Sequence, residues 1–133
     1  RINAITLEKT VTICPSDNFI TCSADWSNGI LTFIDTDKNG VYSSNEPLLR
    51  QISDISKHTQ IQWKSFQSKK FLQFLSTGIT NYQNGSFTLC PADNNAKLAQ
   101  QIVLNIAGRT YLRKDLDGDG IVNKKQNQNI SCL

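Results

Sequence analysis

The chain has 133 residues, 38% hydrophobic and 8% aromatic, with 14 Lys and Arg against 11 Asp and Glu for a formal net charge of +3. That length supports one domain with one core, residues 1–133, while a mean hydropathy of −0.35 and the lack of any apolar run of about 18 residues exclude a membrane span within it. The small positive charge falls well short of a dedicated nucleic-acid binder. Residues 1–10 place Ile2 and Ile5 three apart with no capping residue ahead of them, which reads as the end of a longer helix whose Ile2, Ile5 and Leu7 seek burial. Thr10-Val11-Thr12-Ile13 alternates into Cys14 as a short strand, and residues 30–34 are a β-branched and aromatic run suited to a buried strand. Residues 59–66 alternate, Ile61 and Trp63 on one face and Gln60, Gln62 and Lys64 on the other. Residues 71–76 and 86–90 are strand-like runs separated by Gly78, Asn81, Asn84 and Gly85. Residues 101–106 place Ile102, Leu104 and Ile106 on one face, with 109–113 as a final strand to pair with them. The tail from 115 to 133 is loop-rich, and Asn and Gln crowd 123–129, where a loop is expected. One helix followed by closely spaced strands gives an α+β chain in which an antiparallel sheet packs on the N-terminal helix.

Four cysteines with no CxxC pair argue against zinc and thioredoxin-type sites. Four cysteines allow three connectivities, and we pair Cys14 with Cys22 across a short polar turn and Cys90 with Cys132 near the end. Disulfides place the chain in an oxidising compartment, the periplasm or the cell surface.

Asp35-Thr36-Asp37-Lys38-Asn39-Gly40 with Glu46 satisfies the spacing of an EF-hand calcium loop. The residues before it are strand-like and Pro47 follows Glu46, so the helix–loop–helix context fails and an acidic hairpin turn is the better reading. Asp115, Asp117 and Asp119 form a second D-x-D-x-D-G run, a candidate Ca²⁺ loop whose twelfth position is Gln126 rather than Glu. Lys114, Lys124 and Lys125 flank it and offset its charge if no cation is bound. His58, the single histidine, lies in a polar stretch as a surface residue, and no nucleophile motif such as G-x-S-x-G occurs. Trp26 and Trp63 read as sheet-packing aromatics, and Lys64, Lys69 and Lys70 as a solvated face. No catalytic residue and no required cofactor emerge.

The order Cys14 to Cys22, Trp26, Gly29, Phe33, Asp35, Asn39-Gly40, Glu46, then Gly85 to Cys90 and Gly108-Arg109 resembles the soluble domain of minor pilins and pseudopilins of the FimT, FimU and GspH type. The likeness spans about 100 residues. It implies a pilin-like fold and a non-enzymatic subunit of a type IV pilus or type II secretion pseudopilus, partnered by other pilins. It also implies an inner-membrane anchor in a helix upstream of residue 1. The FimT branch, linked to DNA uptake in natural transformation, carries a GRxR-like motif. Here Tyr111 stands in place of the second arginine, yet Arg109, Tyr111 and Arg113 share one face if 109–113 is a strand. With Lys114, Lys124 and Lys125 these residues are the DNA-binding candidates, and a pilus-associated DNA-binding protein is the alternative function.

Overall fold

The computed structural model describes residues 1–132. It opens with a helix, α1 (Ile2–Leu7), closed by Glu8 at φ 53°. There the amide of Lys9 donates to the Ala4 carbonyl and that of Glu8 to the Ile5 carbonyl. This double closure is the Schellman pattern, built with glutamate where glycine is the easier residue. Strand β1 (Val11–Pro15) is one of the two inner members of a four-stranded antiparallel sheet with β2 (Ile30–Ile34), β3 (Leu48–Ile52) and β5 (Leu72–Phe74), in the order β3-β2-β1-β5. A second four-stranded antiparallel sheet holds β4 (Thr59–Ser65), β6 (Gly85–Pro91), β7 (Gln100–Leu104) and β8 (Thr110–Leu112), in the order β4-β6-β7-β8. A small hairpin, β9 (Asn123–Lys125) with β10 (Gln128–Asn129), follows.

Alternation along β1 explains how its sheet is covered on both faces. Val11 and Ile13 point into the main core, where they meet Leu72 and Phe74 of β5 and, from the second sheet, Leu104, Ile61, Trp63 and Phe87. Ala4 of α1 closes that core at zero exposure. Cys14 points the other way, into a second cluster with Leu31 and Phe33 of β2 and the rings of Phe19, Tyr42 and Phe71. A third cluster joins Cys90 and Ala99 to Ile130 and Cys132, with Ile121 and Val122 against it. The C-terminal segment therefore lies as a cover against β6. Disulfides join Cys14 to Cys22 and Cys90 to Cys132, each with Cα atoms 5.7 Å apart.

The structure corrects four expectations. Residues 48–52, not recognisable as a strand by pattern, form the edge strand β3 of the first sheet with mostly exposed side chains. Ile2 is 70% exposed, Leu7 43% and Ile5 37%, so α1 buries only Ala4 and not its larger side chains. A six-residue helix offers the sheets a single inward position. Ile106 is not part of β7, which ends at Leu104, and lies half exposed in the turn to β8. The 123–129 segment is a hairpin rather than a loop, organised by the buried side chain of Asn123.

Candidate functional site

The acidic turn after β2 is a structural knot. Asp35, 1% exposed, accepts hydrogen bonds from the Thr12 hydroxyl (2.6 Å), Gln73 Nε2 (2.8 Å) and the amides of Gly40 (2.9 Å) and Asn39 (3.1 Å). Glu46, also buried, accepts from the Thr36 amide and hydroxyl and from the Ser43 amide and hydroxyl. The two carboxylates thus bind the two ends of the β2–β3 connection, which is the acidic hairpin turn expected. Gly40 is needed there twice over. Its φ is +76°, and a Cβ would stand 2.3 Å from the Phe71 ring.

At the C-terminal end, Asp115, Asp117 and Asp119 bring one oxygen each within 4.8 Å of the others. Loop donors take up these carboxylates: the amides of Gly118 and Gly120 on Asp115, Asn123 Nδ2 on Asp117, and the Ile121 amide and Asn129 Nδ2 on Asp119. The two glycine amides hold the carboxyl of Asp115 below the usual carboxylate range. Asn123 was not singled out by sequence. Its side chain accepts from the Leu116 amide and donates to Asp117 and Asn129, joining the acidic loop to the hairpin.

The cationic candidates divide. Arg113, Lys124 and Lys125 border one cavity of about 340 Å³ on the outer face of the second sheet, together with Lys64, Thr88 and Gln101. Arg113 Nη1 donates to the Lys124 carbonyl, which fixes β8 against the hairpin. Its Nε is buried with no hydrogen-bond partner among the described residues. Neither Arg109, Tyr111 nor Lys114 borders that cavity. Arg109 lies four residues from Arg113, about 13 Å along an extended strand, at the turn where Asn105 Oδ1 accepts its amide. Gly108 in that turn has φ +81°, and a Cβ there would meet the Gly78 carbonyl at 2.3 Å. The glycine of the Gly108-Arg109 pair therefore serves close packing of the turn against residue 78.

Trp26 is 3% exposed and packs edge-on against Phe87 at 4.9 Å, while Trp63 stacks on Phe87 at 4.3 Å. Both tryptophans serve the core between the sheets, as expected. His58 is exposed and contributes its backbone, its carbonyl accepting from the Ala92 amide. No helix among the described residues is long and apolar enough to cross a membrane.

A short N-terminal helix leading into antiparallel sheets is the pilin-like α+β arrangement, and comparison with known proteins agrees. Two crystal structures of the type IV minor pilin FimU of Pseudomonas aeruginosa (strain PAO1) share this fold. In space group P21 the match has TM-score 0.66 and 16% identity over 85% of this chain and 76% of that one. In space group P65 it has TM-score 0.60 and 18% identity over 85% and 80%. No curated protein sequence matches the chain. The family model described as "Type II transport protein GspH" matches residues 1–108, and the chain belongs to that family. It is accordingly a minor pilin or pseudopilin of the FimT, FimU and GspH type, a structural subunit and not an enzyme.

Proposed function

We propose that this subunit takes its place in a type IV pilus or type II secretion pseudopilus by packing against other pilins, held before assembly at the inner membrane with its globular part in the periplasm. The family match over residues 1–108 carries this reading. The exposed apolar side chains of α1 support it: Ile2 and Ile5 lie three apart on one face, a stripe ready for a neighbouring subunit. Deleting the gene in its own host and counting fibres, or assaying secretion, tests the role. The expected result is fewer fibres or less secretion, restored by the intact gene but not by one carrying Ile2→Glu. Unchanged assembly and secretion in the deletion would refute it.

A second reading, that the subunit also holds DNA, is favoured by one observation: the groove that gathers Lys64, Arg113, Lys124 and Lys125 has no carboxylate in its lining. Gel shifts at two salt concentrations test it. Replacing Arg113, Lys124 and Lys125 with Gln flattens the dependence of log affinity on log salt by about one unit per cation removed. Arg109→Gln, at the far end of β8, has the smaller effect. An unchanged salt slope in the triple variant removes DNA from this face.

A further inference from the structure

Lys64, Lys69 and Lys70 stand around the same cleft as Trp26 and Trp63, an open volume of about 670 Å³. That size falls in the range of about 300–1,000 Å³ typical of small-ligand sites. Its aromatic floor is fixed by the ring packing on Phe87 and by the tilted contact of Trp26 with Trp63 at 6.2 Å. Trp63 Nε1 and the Ser65 hydroxyl both donate to the Lys69 carbonyl, at 2.9 and 3.0 Å. Two consequences follow. The one polar atom of Trp63 is committed, so a ligand finds only its ring. The backbone of Lys69 is anchored at the edge of that ring, in line with its N–H.

The segment that brings Lys69 there is strained. Gln67 and Ser68 are consecutive non-glycine residues in the left-handed region, at φ 61° and 54°. Such a conformation is unfavourable for a residue with a Cβ and persists where surrounding contacts over-determine it. Here the two bonds to the Lys69 carbonyl do so. The side chains of Lys69 and Lys70 are exposed at the rim, Lys64 follows Trp63 on β4, and no carboxylate lines the cleft to offset them. Three exposed cations at one cleft without a carboxylate favour an anion there.

We propose that this cleft binds an acidic oligosaccharide, with a sugar ring against Trp63 and the carboxylates of the chain meeting Lys64, Lys69 and Lys70. Three lysines and no arginine line the cleft, rotatable point charges that can follow the separated carboxylates of a flexible chain. The floor favours that class over nucleic acid: sequence-tolerant strand binding uses several open ring faces along a continuous groove, whereas Trp26 is nearly buried and Trp63 is the one ring left at this cleft. At the walls the Ser68 hydroxyl can donate and accept, while the Ser65 oxygen and the Gln62 carbonyl oxygen offer acceptors to sugar hydroxyls.

Titration of the labelled protein with a trimer of galacturonic acid, followed by the Trp63 indole N–H resonance, tests the proposal. Uncharged galactotriose and a hexamer of deoxythymidylate are the comparison ligands. The acidic trimer is expected to shift the Trp63 indole signal and those of Lys69 and Lys70, and to bind about tenfold or more tighter than the neutral trimer. The double variant K69Q/K70Q changes only exposed side chains, so it keeps the wild-type melting profile and loses at least about tenfold in affinity. No response to the acidic trimer at millimolar concentration, equal binding of the neutral trimer, or undiminished binding by K69Q/K70Q would each overturn the assignment. Tighter binding of the deoxythymidylate hexamer would overturn it in favour of a single-strand site.

Discussion

Asp35 is a carboxylate enclosed between β1, β5 and its own turn, with four neutral donors converging on it. Removing the acceptor leaves buried donors with nothing to bond, at about 1–3 kcal/mol for each group so stranded. Asp35→Ala is therefore expected to lower the unfolding free energy by at least ~3 kcal/mol, read as a fall in the urea midpoint. A loss under ~1 kcal/mol would show that the network matters little. Asp115 makes a different prediction. Its folded pKa lies below the unfolded value, so the stabilisation from its bonds to Gly118 and Gly120 is present above the unfolded pKa. It is lost as pH falls through the folded one. Amide exchange at Gly118 and Gly120, compared with the base-catalysed rate of an unprotected peptide at each pH, should lose protection only at acid pH. Loss of protection near neutrality would contradict this. The EF-hand-like spacing of Asp35 to Glu46 was legible in the sequence, but its meaning was not. Spacing alone does not reveal that Thr12 and Gln73, distant in the chain, complete the shell around Asp35.

Among the elements, strands with clear alternation were legible: β1, β2, β4 and β6 stand where apolar and polar residues alternate or β-branched runs occur. β3 was not, because an edge strand with exposed side chains leaves no hydrophobic period to read. The β9–β10 hairpin was hidden for a related reason. It is organised by Asn123 and covered by the Cys90–Cys132 bond rather than by an apolar face of its own. That bond closes a segment of 42 residues, which chain entropy values at about 4 kcal/mol. Replacing both cysteines with serine should lower stability by about that amount and expose residues 121–132 to protease before the sheets. Uniform resistance along the chain would contradict it. For α1, Ile2→Glu should leave stability within about 0.5 kcal/mol of wild type, since the side chain is already exposed.

For the molecule as a whole, the family order of residues led to the pilin-like fold, while the grouping of surface charge had to come from three dimensions. Arg109 and Arg113 look adjacent in a motif, yet the fold sends Arg113 to a groove with Lys64 and the hairpin lysines and leaves Arg109 at a turn. Lys64, Lys69 and Lys70 likewise gain meaning only once they are seen to line the same cleft as Trp63. The central claim is that the protein acts by assembling with other pilins. Shearing fibres from cells that produce the full-length protein, with overproduction where the fibre is a pseudopilus, and identifying their subunits by mass spectrometry tests it most directly. The account predicts this chain in the sheared fraction alongside other pilins, and its loss from that fraction for Ile2→Glu while the variant remains folded and present in the cell. Fibres assembled in full with this chain absent from them would contradict it.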